Sequence, residues 1–513
     1  MSISQGDVAD DHLTEGDPQA SGDRNVLEGR ADEVWDLLVV GGGTAGIVGA
    51  RTVASFGASV LMVERDRPGG DCLWTGCVPS KALLAAASAA ADARAAGRVG
   101  VHVEGVWVDF GEVMAHVRAA IAAIEPADSP ETLRGAGVQV VRGSARFTGA
   151  GSARVDGVGG GGEVRFRQAL IATGSAPAVP PIPGLREAAP LTSDTVWDLR
   201  ELPDRLVVLG GGTIGCELGQ AFARLGSTVT IVEAADRLLG NEDPEAAQLV
   251  TEAIVRDGAT VLTGAPVSAV EDAAGGREVV LEDGRRVRAD AVLVALGRRP
   301  STADVGLDAA GVEVDDSGFV VVDPRLRTTN PRIWAAGDVS GHPQFTHVAG
   351  VHASTAVSNA VLGLRRTAEV RAVPRVTYTA PEVAAVGVGA DEPGVTVRTV
   401  RHDEVDRAVA EGRTSGFSRL VLDRRGRVVG ATVVGPRAGE TLAELTLAVR
   451  SNAKAGDLAG TMHPYPTFGD GPWNAAVADV RARLAAPFAR RATDALVTMR
   501  RTWLELRAQR RTR

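Results

Sequence analysis

One short pattern occurs twice in this chain. The apolar run Leu37-Leu38-Val39-Val40 breaks into Gly41-Gly42-Gly43-Thr44-Ala45-Gly46, followed by a helical stretch ending near Gly57, a second apolar run from Ser59 to Val63, and an acid, Glu64. Leu206-Val207-Val208-Leu209 breaks in the same way into Gly210-Gly211-Gly212-Thr213-Ile214-Gly215, then a helical stretch to about Leu225, the run Thr228 to Val232, and Glu233. Each fingerprint glycine answers a steric need. The first (Gly41, Gly210) makes the turn, the second (Gly43, Gly212) lets a pyrophosphate approach the backbone, and the third (Gly46, Gly215) allows close helix-strand packing. The glycines alone are a weak signal; with flanking strands and an acid at this distance they are a strong one. Two copies imply two bound dinucleotides, where a single-cofactor dehydrogenase needs one. Glu64 and Glu233 are placed to hydrogen-bond ribose hydroxyls. Glu233 would also repel a 2'-phosphate, and Ala234-Ala235 offers no cation to receive one, so NADH is expected over NADPH. The plain alternative is an acid that merely ends a strand.

A second feature lies about thirty residues beyond the first fingerprint: Gly69-Gly70-Asp71-Cys72-Leu73-Trp74-Thr75-Gly76-Cys77-Val78-Pro79-Ser80-Lys81, running into an Ala/Leu helix to about Ala96. A helix beginning near Cys72 brings the two sulfurs about one turn apart, close enough to bridge with modest distortion. The helix N-terminus and Lys81 both favour thiolate over thiol. Two cysteines by themselves are ordinary buried thiols; beside a nucleotide fingerprint they read as a redox pair.

With those residues in view, the stretch resembles the active-site helix of the FAD-dependent pyridine nucleotide-disulfide oxidoreductases, the family of dihydrolipoamide dehydrogenase, glutathione reductase and mercuric reductase. The resemblance implies an α/β chain with two Rossmann-like dinucleotide-binding domains, for FAD and NAD, plus a C-terminal α+β dimerisation domain. The implied boundaries are 34–175 with 302–371 for FAD, 176–301 for NAD and 372–484 for dimerisation. It implies that Cys77 lies nearest the flavin, that Cys72 attacks substrate, and that Lys81 pairs with Glu217 near the flavin ring. Otherwise Lys81 is a solvated cation and Glu217 a helix-surface acid. Thr173-Gly174 and Gly297 resemble the family's crossings between the nucleotide domains, and Asp338 of Ala336-Gly337-Asp338 its contact to the ribityl chain. The helix starting near Thr346 and His347 is expected to aim backbone N–H groups at the flavin. Cys216 reads as a small packing residue.

The C-terminal motif departs from the family. Pro466-Thr467 aligns with the family's pair, which puts Tyr465 where a histidine is usual and Asp470 where a glutamate is usual, with His463 two residues earlier as a possible substitute. Tyrosine is a poor base at neutral pH but can donate a proton. Tyrosine here resembles mercuric reductase, yet no cysteine follows Cys216, so handing a soft metal ion along successive thiolates has no evident route, and no metal site is expected. The expected function is an FAD-dependent relay from NADH through the Cys72-Cys77 disulfide to a small-molecule or protein disulfide, or another two-electron acceptor. The alternatives are dihydrolipoamide dehydrogenase and a redox sensor that docks through its tail. A homodimer is implied.

Residues 1–33, with nine acids and two basic side chains, read as a disordered tail. Residues 485–513 carry eight arginines and two acids, and Leu484, Phe488, Ala492, Ala495, Met499, Trp503 and Leu506 form an apolar stripe at helical spacing. This basic amphipathic tail fits peripheral membrane contact or packing on its own domain. A net charge of −9 argues against nucleic acid as a main partner. Three cysteines, no apolar run of roughly 18 residues and no signal-like N-terminus make the cytoplasm the expected location.

Overall fold

The computed structural model describes residues 33–158 and 160–511. The acidic tail expected over 1–33 lies outside the described residues apart from Glu33, as does Gly159 of the expected hairpin turn. By contacts the chain divides into two units.

Unit one comprises residues up to 69, 127–174 and 300–367. Strands Val138–Gly149, Val60–Glu64, Val34–Val40, Gly160–Ile171 and Ile333–Ala335 lie side by side and parallel. The long outer strands run on past the parallel sheet and sandwich Ser152–Gly157 in an antiparallel meander. Almost every residue of Val34–Val40 and Val60–Glu64 is buried, as a sheet covered on both faces requires. Helix Thr44–Ser55 packs on helix Thr346–Leu362, and Gly49 permits it: a Cβ there would come within 2.7 Å of Leu170 and 3.3 Å of Val357. The turn at Ala336 to Asp338 hangs on the sheet through Ala336 N–H donating to Ile171 O at 3.1 Å.

Unit two comprises 70–126, 175–299 and 368 onward. Its parallel sheet, in the order Ala291–Val294, Arg205–Leu209, Thr228–Val232, Thr260–Leu262, holds the second fingerprint helix, Thr213–Leu225. A three-stranded antiparallel sheet spans Val267 to Ala289. A five-stranded antiparallel sheet orders Arg375–Thr377, Glu382–Gly387, Val428–Gly435, Phe417–Leu422 and Thr396–Arg401, with helix Ala438–Ser451 against it. The cysteine helix Cys77–Ala95 packs on both Phe110–Ile124 and Thr213–Leu225, sharing one core that includes Leu83, Met114, Leu218 and Phe222. In contact terms, residues 70–126 therefore go with the second fingerprint, although the sequence boundaries grouped them with the first. The fold is the expected one, mixed α/β with two glycine-fingerprint sheets and a C-terminal α+β part.

Candidate active site

The two cysteines sit on either side of a helix break, where one helix starting near Cys72 was expected. Cys72 lies in the single turn Gly70–Trp74, and Cys77 is the first residue of the 19-residue helix Cys77–Ala95. Gly76 makes the break: a Cβ there would stand 2.8 Å from Asp71 O. The correction matters for the chemistry, because the positive end of the long helix acts on the Cys77 sulfur rather than equally on both. Cys72 is half-buried and Cys77 exposed.

The loop between them is fastened from the neighbouring part of unit two. Trp197 Nε1 donates to Thr75 O at 2.8 Å and to Ser193 O at 2.7 Å. Arg298, itself held by Ser175 Oγ at 2.7 Å, forms an ion pair with Asp71.

One turn along the cysteine helix, Lys81 Nζ lies 2.7 Å from Glu217 Oε2, which stands on the second fingerprint helix. Glu217 is almost fully buried, at 6% side-chain exposure, so its charge needs this partner. Its other oxygen accepts the Tyr378 N–H at 2.8 Å, and the Tyr378 ring lies 4.3 Å beneath Lys81 Nζ. Burial, with the nearby carboxylates of Glu382 and Glu217, pushes the Tyr378 hydroxyl above its ordinary range, so the ring stays neutral under the cation. Tyr378 escaped the sequence reading because nothing in local spacing links it to Lys81. A cavity of about 700 Å³ opens beside these groups, bordered by Lys81, Gln220, Arg224, Tyr378, Arg413 and Arg437.

Both glycine turns are built for close approach. A Cβ on Gly46 would stand 1.9 Å from Gly41 O, and one on Gly215 equally close to Gly210 O. Gly41 and Gly210 take positive φ, at +106° and +107°, which side chains rarely adopt. Gly43 and Gly212 cap the two fingerprint helices. Glu64 accepts the Gly42 N–H and the Asp66 N–H at 2.8 Å, and Glu233 accepts the Gly211 N–H at 2.6 Å and the Ala235 N–H at 2.7 Å. Space is open at Gly174 and Gly297, both at positive φ. The buried Thr173 Oγ1 has no partner among the described residues. A buried hydroxyl awaiting a partner beside a glycine cradle fits a bound nucleotide in unit one. Asp338 is half-buried in the turn after Gly337, and helix Thr346–Leu362 begins where expected, with the exposed His347 ring stacked on Phe345 at 5.3 Å.

These features match a known family across most of the chain. Residues 35–353 match the pyridine nucleotide-disulphide oxidoreductase model and 373–476 its dimerisation domain. The chain belongs to that family. It is 36% identical over 453 residues to a mercuric reductase of Bacillus cereus, covering 86% of this chain and 71% of the relative. A mercuric reductase of Streptomyces lividans is 38% identical over 447 residues, covering 85% and 94%. A dihydrolipoyl dehydrogenase of Geobacillus stearothermophilus is 34% identical over 445 residues, covering 85% and 94%. Among solved structures, LpdA from Mycobacterium tuberculosis superposes with a TM-score of 0.81 at 28% identity, covering 88% of this chain and all of that one. The chain is thus an FAD-dependent pyridine nucleotide-disulfide oxidoreductase, using FAD and a pyridine nucleotide. No helix of the described residues is long and apolar enough to cross a membrane.

The three C-terminal candidates do not form one acid-base group. His463 is tied within its own domain: Nδ1 lies 3.0 Å from Thr461 O and Nε2 2.9 Å from Glu444 Oε2. Both ring nitrogens are thus engaged by oxygens of its own domain. Asp470 is buried and accepts the Thr467 N–H at 3.0 Å, closing its own turn. Tyr465 stands 72% exposed and donates its hydroxyl to Asp406. That carboxylate pushes the hydroxyl above the usual phenol range, so at neutral pH Tyr465 is a donor. The partners Glu444 and Asp406 carried no signal in the motif. Cys216 is fully buried, its thiol donating to Gly211 O at 3.3 Å, and burial pushes its pKa far up, in keeping with a packing role. Among the described residues no cluster of three or more His, Cys, Asp or Glu could hold a metal ion.

Proposed function

We propose that the chain carries two electrons from NADH, by way of FAD, to the Cys72-Cys77 pair and on to a disulfide or similar two-electron acceptor, on the mercuric-reductase-like side of the family. The observation that carries this reading is the Lys81–Glu217 ion pair. It joins the helix that opens on a reactive cysteine to the helix that opens on a nucleotide turn, each about one turn from its N-terminus.

Bound FAD supplies the two-electron carrier between nicotinamide and sulfur. Unit one's residues would hold it: Gly41, Gly43 and Gly46 at the pyrophosphate, Glu64 at the ribose, Thr173, Gly174 and Asp338 along the ribityl chain, and the Thr346 helix N-terminus with His347 at the ring. In unit two Gly210, Gly212 and Gly215 would seat NADH, Glu233 would take its ribose hydroxyls, and Gly297 would border the nicotinamide. The Glu233 carboxylate is already fixed by two backbone N–H groups, which supports NADH: a 2'-phosphate would meet a negative charge that cannot swing away.

The sulfur chemistry falls to the dithiol. Cys72 attacks one sulfur of the acceptor, forming a mixed disulfide and expelling a thiolate. Cys77, held as thiolate at its helix N-terminus, then attacks Cys72 and releases the second thiol as the pair closes. NADH, a proton and RSSR thereby give NAD⁺ and two RSH. Tyr465 suits donation of a proton to a departing thiolate, while Asp470 fixes the turn that presents it. Tyrosine in that place, and the mercuric reductases among the relatives, support the branch.

The test is an anaerobic NADH titration followed by turnover on a panel of lipoamide, glutathione disulfide, other small disulfides and mercuric ion. We expect a long-wavelength thiolate-to-flavin band on reduction, disulfide turnover abolished in Cys72→Ser, and kcat/KM favouring NADH over NADPH. Steady turnover in Cys72→Ser overturns the dithiol relay. Lipoamide as the preferred substrate moves the chain to the dihydrolipoamide dehydrogenase branch, and a preference for NADPH removes the role given to Glu233.

A further inference from the structure

The last helix, Pro487–Arg511, is not covered by its own domain. Phe488 is 86% exposed, Leu496 61%, Met499 60%, Trp503 43% and Leu506 55%. At about 100° per residue these side chains, with Ala492 and Ala495, fall within an arc of roughly 100°. Packing against its own domain, one of the two readings the sequence left open, would have buried that stripe. The cations are equally open. Arg490, Arg491, Arg500, Arg501, Arg507 and Arg510 are exposed, and among the described residues none of them has an ion pair. Arg500 and Arg507 instead flank Trp503, their guanidinium carbons 4.2 and 4.9 Å from its ring.

We infer that this helix docks the protein flat on an anionic lipid surface. Charge selects the occupant. The chain as a whole carries −9, whereas residues 487–510 carry six exposed arginines against Asp494 and Glu505, a local excess of positive charge. An anionic bilayer therefore repels the rest of the chain on balance and attracts this element. A second copy of the helix would meet it with the same sign of charge. A nucleic acid would satisfy the arginines but leave Trp503, Met499 and Phe488 in water. A headgroup layer satisfies both faces: the apolar arc enters the acyl boundary, Trp503 sits at the interface, and the bordering arginines meet phosphates. The helix is 25 residues long and does not qualify as a membrane span, so it lies on the surface and does not cross it.

The experiment sediments the full chain with vesicles of phosphatidylcholine alone or mixed with phosphatidylserine, at low and high salt. Three proteins are compared: wild type, a Met499→Asp/Trp503→Asp variant and an Arg500→Gln/Arg501→Gln/Arg507→Gln variant. NADH-dependent disulfide turnover in solution, expected to be equal in all three, reports that each is folded. We expect wild type to bind the anionic vesicles about tenfold or more better than the neutral ones, salt to weaken that binding, and each variant to lose most of it. Equal binding to both vesicle types, or a Met499→Asp/Trp503→Asp variant that binds like wild type, overturns the proposal. So does a change of oligomeric state in that variant without vesicle binding by wild type, which assigns the stripe to a second copy. Binding of duplex RNA with vesicles ignored assigns the arginines to nucleic acid and overturns it too.

Discussion

His402 is the residue on which acid stability should turn. It is completely buried, its Nε2 lies 3.1 Å from Ser418 Oγ, and its Nδ1 has no partner among the described residues. Gly416 and Gly435 leave room for the ring, since a Cβ on either would come within 3 Å of it. Burial pushes its pKa down to about 4. The unfolded chain takes up this proton near pH 6.5, and the fold only near 4. Stability is therefore full above about 6.5 and is lost progressively as pH falls toward 4, by about 3 kcal/mol from this group. Urea midpoints measured across that range for wild type and His402→Asn should show the slope flattened in the variant; parallel curves would clear His402 of the effect. The Lys81–Glu217 ion pair was legible because each residue sits in a short local frame beside its motif. The Glu444 contact to His463 and the Tyr378 ring beneath Lys81 were not, because only the folded sheet and helices bring such distant positions together.

Among elements, the two fingerprint helices should differ in what they hold on the proposed reading, and one methyl group should separate them. Gly46→Ala and Gly215→Ala each drive a Cβ to 1.9 Å from a carbonyl oxygen, which forces helix and strand apart. Gly46→Ala should yield protein poor in flavin, whereas Gly215→Ala should keep its flavin and show a strongly raised KM for NADH. Absorbance spectra of the purified variants and steady-state kinetics read the two effects separately, and flavin loss in Gly215→Ala would contradict the assignment. These elements were legible because a tight turn leaves glycine little competition. The helix break at Thr75-Gly76 was not, since the clash that demands Gly76 exists only once Asp71 has turned over it. Helix Pro244–Arg256 passed unread although its signal was present: Asp243 caps it by accepting the Glu245 and Ala246 N–H groups, and Pro244 follows at the first position. Strand Thr396–Arg401 is an edge strand with scarcely any buried residue, so no apolar run announced it.

For the molecule as a whole, residues 373–476 match the family's dimerisation domain, and we predict that the Tyr465 segment of one copy serves the dithiol of the other. A Cys72→Ser chain lacks the dithiol and a Tyr465→Phe chain lacks the donor, yet a mixed dimer rebuilds one complete site. Unfolding and refolding the two variants together should recover part of the turnover that neither shows alone; no recovery would place Tyr465 and the cysteines of one chain in the same site. The acceptor was not legible because it is chosen by surfaces that the motif does not encode. One thing the fold does state concerns repetition. With Trp197 gripping Thr75 and Arg298 gripping Asp71, the segment between the sulfurs is moored on both sides. On the proposed relay, each catalytic cycle would then need little more than the swing of two side chains, and the main chain around them would return from every turnover with nothing to rebuild.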